Sequence, residues 1–406
     1  VWSKTFGDAQ EQSASQLAVA KSGQVGAIGT FTGSMTAGNA ITNAAPEPID
    51  FILAVDGNGT GLWAKSIDTV AGGLLAIASN PAQDAFAVCG YTMGAATDLV
   101  SGATASSDGL EDIVVAKLNA TTGAILWSRQ IGGAGKQLCT AVAMDAAGNV
   151  YASGTYNGTL DLGPGAFSPT PPATALAIWV AKLAGATGTG TAAKSWGTAL
   201  KQQVKALALD GAGKLAIAGS LKGVVPFGSF TLTTAGSGAG VDGGSTVSNT
   251  DAFAVKLDTG LNPIWAHNWG DTANQDVRSA AFDSVGDLIV AGSLIGTFNL
   301  GNGATLTAAT GVDSYSNPQA DAYWMKLRGD SGVALCGQRY GDAYTQQTDL
   351  MVLSRAASGP QADAITLGGH FDGILDFGLA SGPLIAGVPG TSSSNHVATF
   401  LFHLAP

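Results

Sequence analysis

Six glycine pairs, each spaced four residues apart inside an apolar run, recur along this 406-residue chain. They fall at Gly29/Gly33, Gly90/Gly94, Gly154/Gly158, Gly219/Gly223, Gly292/Gly296 and Gly369/Gly373, so successive copies are 61, 64, 65, 73 and 77 residues apart. A Trp-bearing phrase recurs with them, as WSKTFGD at the start, LWAKSID, LWSRQIGG and IWAHNWGD. Glycine is 58 of 406 residues and charged residues only 12%, against about 7% and about 25% in ordinary domains. A repeat of this length with strand and turn chemistry predicts an all-β fold, a six-bladed β-propeller with four antiparallel strands per blade.

Each unit reads as four strands. The first is an apolar alternating run, such as AVAMD or KALALD. A tight turn follows, DAAGN, DGAGK or DSVGD, whose glycine supplies the positive φ of a hairpin. The second strand carries the glycine pair, so Gly29, Gly90, Gly154, Gly219, Gly292 and Gly369 are expected to be structural. A long loop rich in Gly, Thr, Ser and Ala leads to the third strand, DIVVAKL, AIWVAKL, DAFAVKL or DAYWMKL. The fourth strand holds the tryptophan, expected at Trp2, Trp63, Trp127, Trp196 and Trp265, with Cys336 in the sixth place.

The ends of the chain do not match. The last third strand, near residues 397–404, has no fourth strand after it, and Trp2 has no third strand before it. The N-terminal strand is therefore expected to complete the last blade and close the ring, which would remove exposed sheet edges. This gives one domain over residues 1–406, with blade units at about 9–68, 69–133, 134–201, 202–271, 272–342 and 343–406 plus 1–8.

MDAAGNVYASGTYNGTLDLG (Met144–Gly163) and DAFAVKLD (Asp251–Asp258), with the Trp strands ending in Gly-Gly or Gly-Asp, resemble the bacterial secreted propeller-repeat family, the SBBP-type repeat. The resemblance runs over essentially the whole chain. It implies the propeller fold and a secreted or surface location, and no particular activity. Unit six departs from it with Cys336 for Trp and His403 for Lys, and unit one with Val55 for Lys.

The net charge of −11 disfavours nucleic acid, which requires Lys/Arg patches, and docking on anionic lipid. No run of 18 apolar residues suggests membrane insertion. Val1 is not an initiator methionine, as expected where a leader or upstream region has been removed. The chain reads as a monomer or as a module of a larger protein. Cys89, Cys139 and Cys336 have no metal-ligand spacing and read as small buried apolar side chains. A bridge between Cys89 and Cys139 is the alternative, since both would lie in adjacent units.

KLNATTGAILW (Lys117–Trp127) is similar to the tryptophan-docking motif of quinone-dependent dehydrogenase propellers, with Asn119, Thr122, Gly123 and Trp127 matching. The similarity implies a lock between blades. DGNGTGLW (Asp56–Trp63) reads as a turn. The third-strand lysines Lys117, Lys182, Lys256 and Lys326 are expected to lie along the blades and pair with carboxylates. The loops after the Trp strands are the candidate binding site. Asp8, Asp68, Asp271 and Asp342 recur there, joined by Gln10, Gln137, Gln203, Gln275 and Gln346. Such a ring at a channel mouth can hydrogen-bond sugar hydroxyls, and its four aspartates are the candidate ligands for calcium, the one cofactor the sequence leaves open. The competing expectation is that each Asp caps its own turn.

The four histidines (His267, His370, His396 and His403) sit in no H-E-x-x-H pattern, and neither G-x-S-x-G nor a P-loop occurs. The carboxylates repeat with the blade, which argues for structure. The function expected is a non-enzymatic extracellular scaffold that binds a polysaccharide or a surface protein through its loop-rich face. An extracellular glycoside hydrolase or lyase using the channel mouth is the alternative, to be marked by one blade that breaks the repeat with a buried carboxylate pair or a His–carboxylate metal site. A purely structural module of a longer surface protein is the third reading.

Overall fold

The computed structural model describes residues 3–67, 72–80, 82–93, 110–133, 135–167, 176–198, 200–235, 250–301, 303–311, 319–355, 362–378, 382–386 and 398–404. Two compact units, Val1–Ala199 and Leu200–Pro406, each hold three propeller blades. The fold is thus all-β with six blades, and the division between the units falls next to the expected boundary between the third and fourth repeats.

In the first unit the sheets comprise Gln12–Val19, Val25–Phe31, Ile49–Val55 and Gly61–Ile67; then Gly73–Ala78, Ala85–Thr92, Asp112–Asn119 and Ile125–Ile131; then Gln137–Met144, Val150–Tyr156, Ala177–Leu183 and Gly190–Trp196. In the second unit they comprise Gln202–Leu209, Leu215–Leu221, Asp251–Leu257 and Pro263–Trp269; then Gln275–Phe282, Leu288–Leu294, Asp321–Leu327 and Ala334–Tyr340; then Gln346–Arg355, Ala362–Phe371 and Ala398–Leu404. Every sheet is an antiparallel meander in chain order. The sixth has three strands among the described residues. Residues 3–11 form no strand, and Val1 and Trp2 lie outside the described residues, so the expected completion of this sheet by the N-terminus is not seen.

The second and third strands are buried on both faces, which is why they read as continuous apolar runs. Their alternate residues serve different neighbours. Phe86 and Val88 pack toward the first sheet with Ile28, Ile52 and Trp63. Ala87 and Cys89 point the other way, toward Val142, Val150 and Trp179 of the third. In the second unit Tyr323 and Met325 join the cluster with Trp265 and Trp269, while Ile289 and Ala291 face Met351, Leu367 and Phe402.

The first glycine of each pair has a steric cause. A Cβ on Gly29, Gly90, Gly154, Gly219, Gly292 or Gly369 would fall on the backbone carbonyl of Ser13, Gly73, Leu138, Gln203, Asp276 or Gln347 in the neighbouring first strand. At that point every first strand carries a bulge: the register skips Ser15, Leu75, Thr140, Lys205, Arg278 and Asp349 in turn. The extra residue bends the strand and turns its side chain out of the pairing pattern.

The tryptophans lock neighbouring sheets, as the docking motif implied. Trp63 Nε1 donates to Ala120 O at 2.9 Å, Trp127 to Gly185 O at 2.9 Å and Trp265 to Gly329 O at 3.2 Å. Each ring lies on a turn glycine of the next sheet, Gly123, Gly188 or Gly332, with φ between 68° and 72°. Asn119 holds the first of these turns through Oδ1, which accepts from Thr121 N and Thr122 N. Trp196 does not belong to this set. It pairs with Ile178, four residues along from the docking register, and Ala192 stands there instead. In unit one Ala54, not Val55, pairs with Trp63 and so occupies the lysine position.

Cys89 and Cys139 form a disulfide between the second and third sheets, and Cys336 is exposed. This corrects the expectation of three buried free thiols, because the alternation that sends Cys89 toward the third sheet brings it opposite Cys139. Replacing Gly219 by Ala should lower stability by about 1–3 kcal/mol or more, since the bulge carbonyl of Gln203 has no room to retreat. Denaturant unfolding of the variant against the parent protein measures this; an unchanged midpoint would contradict the steric account.

Candidate functional site

Three of the four recurring loop aspartates are described, and they are built alike. Asp8 Oδ1 accepts from Gln10 N and Gln12 Nε2, and its Oδ2 from Ser34 N at 2.7 Å. Asp271 accepts from Ala273 N, Gln275 Nε2 and Thr297 N. Asp342 accepts from Tyr344 N, Gln346 Nε2 and Ile374 N. Each carboxylate thereby ties the loop before a first strand to the hairpin that follows the second strand. Backbone donors, led by Gln10 N, hold the Asp8 carboxyl below its ordinary range. Asp68 lies outside the described residues. Among the described residues no three His, Cys, Asp or Glu side chains gather as metal ligands.

The glutamines form a parallel set, in a register that differs from the expected one at two places. Gln137, Gln275 and Gln346 are buried and donate to Asn157 O, Ile295 O and Asp372 O. The equivalents in the first and fourth sheets are Gln12 and Gln202, which donate to Thr32 O and Lys222 O. Gln10 gives only its backbone N–H to Asp8, and Gln203 sits one residue beyond the tie, opposite Ser220.

Above these ties lie buried acids at the start of third strands. Asp251 and Asp321 are 1% and 0% exposed. In both, Oδ1 is buried without a hydrogen-bond partner. Gly270 explains its own identity here: a Cβ on it would lie 2.5 Å from both Asp251 Oδ1 and Gln275 Oε1. Two acceptor oxygens therefore share one confined place. Burial pushes the Asp321 carboxyl up to about 6, against the opposing help of Ala309 N and Arg339, with Asp342 adding to the rise. Burial likewise raises Asp251, where Asn268 and Ala235 N oppose and Asp271 reinforces it.

The third-strand lysines are structural. Lys117 Nζ donates to Gly148 O at 2.8 Å and Gly185 O at 3.1 Å, and burial lowers its pKa. Lys256 pairs with Asp210 at 3.1 Å and Lys326 with Asp283 at 2.7 Å. Lys182 lies over the Tyr151 ring. The DGNGTGLW segment is the expected turn, with Asp56 Oδ1 accepting from Asn58 N and Thr60 N.

One constellation breaks the repeat. In the second unit the three bulge residues are Lys205, Arg278 and Asp349, all charged, where the first unit has Ser15, Leu75 and Thr140. Lys205 Nζ meets Asp276 Oδ2 at 2.5 Å, and Arg278 Nε meets the same oxygen at 3.1 Å. Arg278 Nη1 reaches Asp349 Oδ1 at 3.2 Å, and Asp349 Oδ2 lies 2.6 Å from His370 Nδ1. Gln347 Nε2 also donates to Asp349, and Ser293 gives N–H and O–H to Asp276 Oδ1. A continuous ionic row thus crosses three consecutive sheets at the bulges of their first strands. Burial works to raise Asp276, but Lys205 and Arg278 outweigh it and its pKa is lowered. Side chains of Lys205 and Arg278 are 30% exposed and those of Asp349 and His370 37%, so solvent reaches the row. No sequence pattern marks the row, because a bulge is a feature of strand pairing.

A beta-propeller repeat family model, SBBP, matches residues 126–160, which run from the docking strand of the second sheet into the glycine pair of the third. No curated protein matches the chain. Among solved structures it is similar to a PQQ-bound aldose sugar dehydrogenase from Streptomyces coelicolor, at 13% identity over 88% of each chain with a TM-score of 0.38. It is also similar to an acylaminoacyl peptidase from Pyrococcus horikoshii, at 9% identity over 91% of this chain and 59% of that one, TM-score 0.33. A third likeness is the quinohemoprotein alcohol dehydrogenase of Comamonas testosteroni, at 10% identity over 88% and 53%, TM-score 0.33. Scores this low bear neither on activity nor on ligand.

The raised carboxyl of Asp321 makes a signed prediction. Its folded pKa, about 6, exceeds the ordinary carboxyl value of 3.8, so the stability it contributes is full at low pH and is lost as pH rises through 6. Asp321→Asn keeps the shape and removes the titration. Relative to the parent, this variant should gain stability between pH 4.5 and pH 8, by at most about 2 kcal/mol. Denaturant midpoints at the two pH values test this, and a gap independent of pH would refute it.

Proposed function

We propose that this chain is an extracellular, non-catalytic propeller scaffold that binds a ligand, a polysaccharide or another surface protein, at the loop-bearing end of its blades. The ionic row from Lys205 to His370 carries this reading. Exposed charged groups at bulges cost stability unless they are paired, and a purely structural blade manages with Ser, Leu or Thr at the same position. The loop aspartates, on this reading, frame the ligand surface by fixing the hairpins. The Cys89–Cys139 bridge supports an oxidising location, since structural disulfides are rare in reducing compartments.

The His370–Asp349 pair favours a second reading, an extracellular glycoside hydrolase or lyase. A carboxylate that orients an imidazole is an arrangement suited to proton transfer. Asp349 would then be the orienting group and His370 the acid or base.

Binding to a panel of immobilised polysaccharides separates these readings. The scaffold reading expects the parent protein to retain a polysaccharide without shortening it, and Lys205→Gln with Asp349→Asn to lose at least tenfold in affinity while still folding. Shortened chains that disappear with His370→Ala would establish the enzyme. Retention that survives changes throughout the row would remove the row from either function.

A further inference from the structure

The ligand's chemical class follows from counting what the row has left to offer, an argument that rests on the binding role proposed above. Asp276 Oδ1 accepts from Ser293 N at 3.1 Å, Ser293 Oγ at 2.6 Å and Arg278 Nε at 3.4 Å. Its Oδ2 accepts from Lys205 Nζ and Arg278 Nε. Asp349 Oδ1 accepts from Arg278 Nη1 and Gln347 Nε2, and its Oδ2 faces His370 Nδ1. Both carboxylates are therefore engaged on both oxygens. The donors are not exhausted. An ammonium has three N–H bonds and a guanidinium five. Among the described contacts Lys205 uses one, and Arg278 uses Nε and one hydrogen of Nη1. Two N–H bonds of Lys205, both of Nη2 and one of Nη1 remain, on side chains that solvent reaches.

The arrangement has a clear polarity. Asp276, the more deeply buried carboxylate at 12% exposure, lies behind the two cations and holds their direction. Two cations share it, and with Asp349 on Arg278 the four charges balance, so what this end of the row offers an anion is directed N–H bonds. Asp349 draws Arg278 from the other side, and the guanidinium plane is held at both ends. A planar fork fixed in this way suits two-point recognition of an oxyanion. The chain's net charge of −11 opposes long-range attraction of anions, so binding here depends on contact geometry and not on steering.

We propose that the Lys205–Arg278 end of the row is a binding site for an oxyanion, the carboxylate or sulfate group of an acidic polysaccharide. The bulges place the two donors on consecutive sheets, so one anionic group bridges the fourth and fifth blades. The hydroxyls of the adjoining sugar would then lie along the row toward Gln347 and His370.

Calorimetric titration of the intact chain with an oligoglucuronate, a neutral oligoglucose of the same length and free sulfate tests this. Oligoglucuronate should bind, oligoglucose should not, and Arg278→Gln should weaken binding at least tenfold. Arg278→Lys, which keeps the charge and loses the fork, should recover only part. Displacement by millimolar sulfate would show that the site takes either oxyanion, and its failure that the site is selective for carboxylate; both agree with the proposal. Equal binding of oligoglucose, still abolished by Arg278→Gln, would overturn the oxyanion while leaving the binding surface in place. Oligoglucuronate binding that is unchanged in Arg278→Gln would overturn both. Lys205→Gln gives the same readout should Arg278→Gln fail to fold.

Discussion

The blades depend on one close approach. In each sheet a carbonyl of the first strand runs against the Cα of a glycine in the second, and any larger residue would strike it. The strands cannot stay in simple register across that contact, so one residue of the first strand is extruded as a bulge. Three consequences follow from this packing event. The first strand bends, a glutamine at its start meets the carbonyl that follows the second strand in every sheet but the second, and one side chain per blade is released from pairing. The last of these is where the repeat can vary at little structural cost, and the second unit places Lys205, Arg278 and Asp349 there.

Around that contact the sheets are joined by polar locks rather than by apolar packing alone. A tryptophan indole N–H, a lysine ammonium or a disulfide spans each pair of adjacent sheets within the first unit. The locks repeat because each answers a recurring turn: the indole needs the carbonyl that opens the next sheet's last turn and the open face of its positive-φ glycine. A buried polar atom costs free energy unless it is paired, and the turn carbonyls are what pair these groups. The buried aspartates Asp251 and Asp321 are among the groups left out of this pairing, with Gln275 Oε1 and Thr348 Oγ1. Each keeps an oxygen without a partner, and for Asp321 the consequence is a carboxyl that titrates near neutrality.

Much of this was legible in the sequence, for physical reasons that also mark where reading stopped. The glycine pairs recur because a steric contact demands them, so they gave strand order and blade number directly. The turn aspartates and docking tryptophans were legible because a backbone geometry stands behind each. Register was harder. Gln12 and Gln202, not the expected Gln10 and Gln203, hold the recurring amide position, because glutamines lie close together in both loops and only the hydrogen bond to the following carbonyl distinguishes them. Trp196 lies in a fourth strand as its sequence predicts, but it stands four residues along from the docking register, which the repeat spacing alone does not show. Cys89 and Cys139 required knowing which face of a doubly buried strand each occupies. The ionic row left no pattern at all, because a bulge is a feature of pairing and its occupant is free to change.

The central claim is that the bulge residues of the second unit act as one coupled ionic row. A double-mutant cycle on Lys205 and Asp276, with Lys205→Gln, Asp276→Asn and the double variant unfolded in denaturant, measures it most directly. Lys205 and Asp276 lie 2.5 Å apart on neighbouring sheets, so a coupling energy of about 0.5–3 kcal/mol is predicted. Single-variant effects that add to within about 0.3 kcal/mol would mean that the two charges stand side by side without acting together, and the account of the row would fall.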